Sequence, residues 1–324
     1  MSRALPTTAL AADIAAGLAR VETLFDTQLA GEFPAVNELC RHVERYRGKM
    51  LRPTMVIVSG LAFTPEGGAL RHEHDIVAAT VEMIHMATLV HDDVLDDATV
   101  RRRGETVYFL RGNETAVMLG DYLISNAFHL CSRAGDPALN LRLGEVTNTL
   151  CEGELVQLSR RHDLALDENT YFEIVRRKTA VLVGASCELG TRLAGAGSGD
   201  VAAMRGFGER LGVAFQIQDD LLDLLGDEAT VGKSIGRDLE KGKLTLPMIL
   251  HIARTHGAER RAALDAIEAK DGASLRALLA RSGSIDGARA KALAIVEEAK
   301  ALLPETRRAG SRELLLELAD RVVG

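Results

Sequence analysis

Apolar residues recur three and four positions apart along nearly the whole chain, the period of helices that bury one face. "ALAADIAAGLARVETLFDTQL" near one end and "AKALAIVEEAKALL" near the other show it plainly. Pro34 suits a first helical turn, and Pro304 separates two helices close to the C-terminus. "TYFE" at Thr170–Glu173 has the spacing of a capping box and predicts a helix running toward "LVGASCELGTRLAG". Alternating β-branched runs, Pro/Gly/Ser-rich linkers and internal repeats are missing. The segment richest in turn signals is "GDEATVGKSIGRDLEKGKLTLP" at 226–247. The pattern predicts an all-α, single-domain bundle of helices over residues 1–324, with one functional loop.

One stretch breaks the pattern. "VEMIHMATLV" is apolar enough for a protein interior, and "HDDVLDD" at 91–97 follows it directly. Asp92 and Asp96 are four apart, as are Asp93 and Asp97, so the spacing stacks each pair on one helix face. Two carboxylates about 6 Å apart repel by roughly 3 kcal/mol at an effective dielectric near 20. "QIQDDLLDLLGD" at 216–227 repeats the arrangement with Asp219, Asp220 and Asp223. A solvated helix end would explain one cluster, but two copies of DDxxD closing apolar helices call for a cation. Oxygen-only ligands that leave room for water and phosphate oxygens suit Mg²⁺. Neither stretch has the alternating ligands and central glycine of an EF-hand.

Composition narrows the function classes. The 324 residues are 47% hydrophobic and 26% charged, as in a soluble globular protein able to bury a core. A net charge of −7 argues against a nucleic-acid partner. Cys40, Cys131, Cys151 and Cys187 are scattered without a CxxC pair, which suits a reducing cytosol better than a zinc site or a disulfide framework. No apolar run approaches eighteen residues and the N-terminus lacks a signal-peptide design, so a cytoplasmic protein without a transmembrane segment is expected.

Basic residues accompany the carboxylates. "GKMLRP" places Lys49 and Arg52 three apart, a spacing that puts them on one helix face, and "VRRRG" follows the first acidic cluster. "RRKTA" offers Lys178 and Thr179, while "GKSIG" and "EKGKLTLP" offer glycine-flanked Lys233 and Lys243. Singly, such cations are ordinary solvated surface. Together with two metal-binding clusters they suggest a polyphosphate pocket, in which Arg supplies forks of donors and Lys point charges. There is no GxxxxGK[ST] loop, so the pocket is not a P-loop nucleotide site.

At these residues the sequence resembles the trans-type polyprenyl diphosphate synthases. "GKMLRP" is similar to the family's GKxxRP, and "HDDVLDDATVRR" to its first aspartate-rich motif with an arginine pair. "CEGELVQL", "RRKTA" and "FQIQDDLLDLLGDEATVGKSIGRDLEKGKLTLP" follow the later motifs in order, so the likeness covers about residues 40–250. Arg103 stands where the family usually has glycine, which makes Arg101 and Arg102 the functional pair.

The resemblance implies an isoprenoid synthase-like bundle around a central apolar cavity, packed as a homodimer. It implies Asp92, Asp96, Asp219 and Lys178 as catalytic residues. Asp92, Asp96 and Asp219 would ligate Mg²⁺, with Asp93, Asp220 and Asp223 ligating or acting through water. Lys49, Arg52, His85 and Arg102 would hold the diphosphate of isopentenyl diphosphate. Arg101, Lys178, Thr179, Gln216, Lys233 and Lys243 would hold that of an allylic primer. About three Mg²⁺ ions would balance the roughly six negative charges of an allylic diphosphate and three aspartates. Ala87 and Thr88, five and four residues before Asp92, would face the growing chain, with Phe128 and Leu143 as candidate floor. Because Ala87 and Thr88 are small, the expected product is a medium- or long-chain all-trans polyprenyl diphosphate, with peripheral membrane contact for its release. The alternatives are a farnesyl or geranylgeranyl synthase, a terpene cyclase, which would leave Lys49, Arg52 and Arg102 without purpose, a head-to-head synthase, or a silent subunit of a heteromeric synthase.

Overall fold

The structure, a computed structural model, describes residues 8–102, 104–225 and 236–323. Helices dominate: α1 (Thr8–Leu29), α2 (Pro34–Val43), α3 (Leu51–Phe63), α4 (His72–Leu95), α5 (Val107–Ser132), α6 (Pro137–Ser159), α7 (Glu168–Val175), α8 (Val181–Leu193) and α9 (Ser198–Leu225). Helices Arg237–Glu240, Leu246–Arg254, Gly257–Glu268, Gly272–Arg281, Ser284–Leu302 and Ser311–Val323 complete it. The sequence pattern gave no strand, yet a minimal hairpin joins Val100–Arg101 (β1) to Gly104–Glu105 (β2). Two residues a side are too few for an alternation to show. Pro34 opens α2, and Pro304 lies between the two C-terminal helices, as expected.

The chain forms two compact units. The first takes residues 1–147, 182–208 and 302–318; the second takes 148–181, 209–301 and 319–324. In the first, α4 packs against α5, α3 and α1. It is buried without interruption from His74 to Ile84, a run that takes the polar side chains of His74, Asp75, Thr80 and Glu82 inside with the apolar ones. Arg20 of α1 pairs with Asp75 at 2.7 Å, and the backbone N–H of Arg307 donates to Ala62 O at 2.8 Å. Thr106 caps α5 by accepting from Phe109 N at 3.0 Å, and Gly112 kinks that helix with φ +82°.

The core of the second unit includes Ile217, Leu221, Leu224, Leu239, Leu246, Ile249, Leu275 and Leu279. The start of α7 differs from the capping-box expectation: Asp167 is the cap, its carboxylate accepting from Thr170 N at 2.7 Å. The helix therefore begins at Glu168, ahead of "TYFE". Between α7 and α8, residues Arg176–Ala180 form one wide π turn. Such turns insert a residue and re-aim the side chains they carry, here Lys178 and Thr179. Two close approaches hold it. A Cβ on Gly153 of α6 would lie 2.6 Å from Lys178 N, and one on Gly212 of α9 would lie 2.5 Å from Ala180 Cα.

Candidate active-site residues

Both aspartate clusters sit at the C-terminal ends of long helices, α4 and α9. That end carries the negative pole of the helix dipole, so carboxylates there are unfavourable unless positive charge is nearby. In the first unit, Asp92 is half-buried and Asp96 is the helix C-cap, its N–H donating to Asp92 O at 2.8 Å. Asp93 is 1% exposed and accepts from Arg101 Nε at 2.8 Å, while its Oδ2 has no hydrogen-bond partner. Burial raises the Asp93 carboxyl above its ordinary range, and Arg101 opposes the shift. Tyr46, fully buried, has the Arg101 guanidinium 5.9 Å above its ring.

The expected stacking of Asp93 with Asp97 does not occur. Asp97 has already left the helix, with φ +47°, and its carboxylate accepts from Tyr108 Oη at 3.0 Å. Lys49 and Arg52 also do not share a helix face. Lys49 is in the turn before α3, whose N-cap Met50 is left-handed, so the spacing rule does not reach it. Gly48 explains that turn. Its φ is +55°, and a Cβ there would fall 2.0 Å from Arg102 Nη1, so glycine both makes the bend and seats the guanidinium.

His85 lies on α4 two turns before Asp92. Burial and then Arg52, Arg102 and Arg101 lower its pKa well below the usual value, leaving a neutral ring. Glu82, one turn earlier and 1% exposed, was not singled out from the sequence, where it reads as an ordinary helix carboxylate. On α4 the half-buried stripe runs through His85, Thr88, Leu89 and Asp92. Thr88 lies on it and donates its hydroxyl to His85 O at 2.7 Å, whereas Ala87 is fully buried beside it. Phe128 is half-buried on α5, and Leu143 fully buried on α6.

In the second unit, Gln216 links two expected site residues. Its Oε1 accepts from Thr179 Oγ1 at 2.9 Å, and its Nε2 donates to Asp220 Oδ1 at 2.9 Å. Tyr171 Oη donates to the other Asp220 oxygen at 2.7 Å. Burial, then Asp238, push the Asp220 carboxyl up to about 8. Asp223 is buried and accepts from Asp238 N at 3.2 Å, while Asp219 is half-buried. Lys178 Nζ pairs with Glu154 and donates to Gln157 Oε1 at 2.9 Å. Lys243 donates its backbone N–H to Asp238 O at 2.8 Å, while Lys233 and Arg103 lie outside the described residues. Tyr171, Glu154, Gln157 and Asp238 thus join residues that sequence reasoning named. The first sits inside the quoted "TYFE", and the next two inside the quoted "CEGELVQL". An open depression of about 290 Å³, lined by Val156, Thr170, Ile174 and Arg177 among others, holds none of the clustered aspartates.

Among the described residues, no three His, Cys, Asp or Glu side chains converge into a ready-made metal cage. Mg²⁺ keeps waters and takes one or two carboxylates together with substrate phosphate oxygens. Asp92 in the first unit and Asp219 in the second, each half-buried at a negative helix end, are carboxylates of that chemistry.

The polyprenyl synthetase family pattern matches residues 33–280. Octaprenyl diphosphate synthase of Escherichia coli K12 is 33% identical over 312 residues, covering 94% of this chain and 95% of that one. Heptaprenyl diphosphate synthase component 2 of Bacillus subtilis is 34% identical over 229 residues, covering 71% of this chain and 65% of the relative. Relatives named for short-chain and for octaprenyl products match about equally, at 32% and 33% identity. The crystal structure of a Caulobacter crescentus polyprenyl synthase, complexed with calcium and isoprenyl diphosphate, superposes with a TM-score of 0.90 at 35% identity, covering 99% of both chains. With the family pattern spanning most of its length, the chain belongs to the polyprenyl synthetase family.

Proposed function

We propose that the protein condenses isopentenyl diphosphate with an allylic diphosphate, head to tail, giving an all-trans polyprenyl diphosphate of medium or long chain. One observation carries the reading: each unit has an aspartate-ended helix and its own set of polar donors. Arg52, Arg102 and His85 belong to the unit of Asp92; Lys178, and Thr179 linked through Gln216 to Asp220, belong to the unit of Asp219. Two donor sets suit two diphosphates, one on the nucleophile and one on the ionising primer. A cyclase has no use for the first.

Asp92, Asp96 and Asp219 would hold Mg²⁺, whose charge stabilises the diphosphate leaving the primer as its C–O bond breaks. Asp93, buried against Arg101, and Asp220, held by Tyr171 and Gln216, act as braces for these ligands more than as ligands themselves. Lys178, paired with Glu154, is placed to exchange that partner for a diphosphate oxygen. Neutral His85 offers a hydrogen bond without adding charge to the arginine cluster. The allylic cation is attacked by the double bond of isopentenyl diphosphate, and the departing diphosphate takes the proton then lost, so no separate base is required. Apolar helices shield the cation from water.

Small Thr88 on the half-buried stripe supports the longer product. Relatives named for short products leave the length to experiment. We place the enzyme in the cytoplasm, which four unpaired cysteines support. We also read it as a homodimer that uses exposed Leu110, Val117 and Met118 of α5 and Leu141 of α6. The Bacillus subtilis relative is named as one component of a synthase, but intact aspartate clusters here favour a self-sufficient catalyst. Asp92→Ala and Asp219→Ala test the reading. Each should lower turnover about a thousandfold, some 4 kcal/mol of lost barrier stabilisation, with unchanged helix content. Near-normal turnover in either variant, or in excess EDTA, would sink it.

A further inference from the structure

Glu82 stands on α4 one turn before His85, with its Oε2 buried and accepting no hydrogen bond. The charges that act on it are Arg52, Arg102 and Arg47. They come from α3, from the β1–β2 hairpin and from the short turn Glu44–Arg47. The relation is reciprocal. On Arg52 the acting charges are Glu82, which favours its ionised form, and Arg102, which opposes it. On Arg102 they are Glu82 and the opposing Arg101. Arg52 carries a buried Nε without an acceptor, whereas Arg47 pairs with Asp26 and lies 4.0 Å over the Phe25 ring. Convergent guanidiniums repel one another, and nothing in that repulsion keeps long side chains from turning toward solvent.

We propose that Glu82 is a positioning residue: its buried carboxylate is the counter-charge that keeps Arg52 and Arg102 converged until a diphosphate arrives. The proposal rests on the reading that Arg52 and Arg102 hold isopentenyl diphosphate. A single carboxylate offsets part of the two positive charges of Arg52 and Arg102, so the pair remains attractive to a trianionic diphosphate while its donors stay in place. Pre-organisation of this kind lowers the cost of binding. It also spares His85 from having to supply charge.

The arrangement costs stability, and this provides a second readout. Burial raises the Glu82 carboxyl to about 7, against the opposing pull of Arg52, Arg102 and Arg47. A carboxyl whose folded value is raised contributes fully below its unfolded value of 4.5, and that contribution is lost as pH climbs through about 7. At pH 8 the ionised carboxylate therefore weakens the fold. Glu82→Gln removes that burden together with the counter-charge, so stability and binding should move in opposite directions.

Wild type, Glu82→Gln, Glu82→Asp and Arg52→Ala are compared at pH 8 for KM toward isopentenyl diphosphate, KM toward the primer, kcat and thermal midpoint. Glu82→Gln should raise the isopentenyl diphosphate KM about tenfold, mid-range for coupled neighbours in a charge network. The primer KM should stay within about twofold, and the midpoint should hold or rise. Glu82→Asp should recover part of the affinity. An unchanged or lower isopentenyl diphosphate KM in Glu82→Gln, with a raised one in Arg52→Ala, overturns the inference alone. So does a lowered midpoint with both KM values rising together, the mark of a structural role. A normal isopentenyl diphosphate KM in Arg52→Ala overturns the site reading and the inference with it.

Discussion

Arg101→Met probes how the first aspartate cluster is braced. Methionine keeps much of the arginine's length and its contact with Tyr46 but removes the donor 2.8 Å from Asp93. Asp93 is 1% exposed and Arg101 is its charged partner, so the variant leaves a buried carboxylate with only the Tyr46 hydroxyl to act on it. Stranding one member of a buried ion pair typically costs about 3–5 kcal/mol. Protonation sets a ceiling, because the carboxyl will neutralise once that becomes cheaper. Starting from an unfolded value of 3.8, holding the proton costs about 4 kcal/mol at pH 7 and about 2 kcal/mol at pH 5. Wild-type Asp93 already lies above 3.8, so it bears part of this cost and the expected loss at pH 7 is about 3 kcal/mol. The sign follows from the raised folded pKa: the deficit is small at low pH and grows as pH rises. Urea unfolding followed by circular dichroism in EDTA, at pH 5 and pH 7, measures it. Asp93→Asn combined with Arg101→Met should recover most of the loss, because no charge is then stranded. A loss under about 1 kcal/mol at pH 7, or one that does not shrink at pH 5, would refute the bracing argument.

Further outcomes follow from the same geometry. Lys49→Ala should raise the KM for isopentenyl diphosphate and Lys178→Ala that for the primer; the reverse pattern would exchange the two sites. Thr88→Phe, on the half-buried stripe, should shorten the product toward fifteen or twenty carbons while turnover persists, as read by chromatographic sizing. Ala87→Phe must fit a ring where the wild-type side chain is fully buried, so it should also cost about 1–3 kcal/mol in a denaturant titration. Unchanged products in Thr88→Phe would show that the chain does not pass it. Met118→Glu puts a charge into the proposed dimer face and should give a monomer by light scattering; an unaltered mass would place the contact elsewhere.

Much of the candidate site was legible because charge at the end of an apolar helix is costly and therefore informative. Asp92, Asp96, Asp219 and their basic companions stood out for that reason, and helical period identified an all-α chain. The surrounding braces were illegible for reasons of distance and local geometry. Tyr171 meets Asp220 across 49 positions, and nothing in either neighbourhood announces the other. The left-handed residues Met50 and Asp97 end helical spacing where the pattern alone would extend it, so Lys49 and Asp97 were placed on faces they do not share. The π turn at 176–180 has no period of its own; its trace is the pair of glycines that press against it, Gly153 and Gly212. Glu82 carried no signal because one carboxylate in a helix is ordinary until its burial and its three arginines are known.

The central claim is that this chain alone joins five-carbon units onto an allylic primer. Incubating the purified protein with labelled isopentenyl diphosphate, an allylic diphosphate and Mg²⁺, then sizing the extracted products by chromatography, tests it without intermediaries. The account predicts a labelled all-trans polyprenyl diphosphate longer than twenty carbons, absent in EDTA and absent without the primer. Contradiction would be label left wholly in isopentenyl diphosphate, or a product that forms only when a second, different subunit is added.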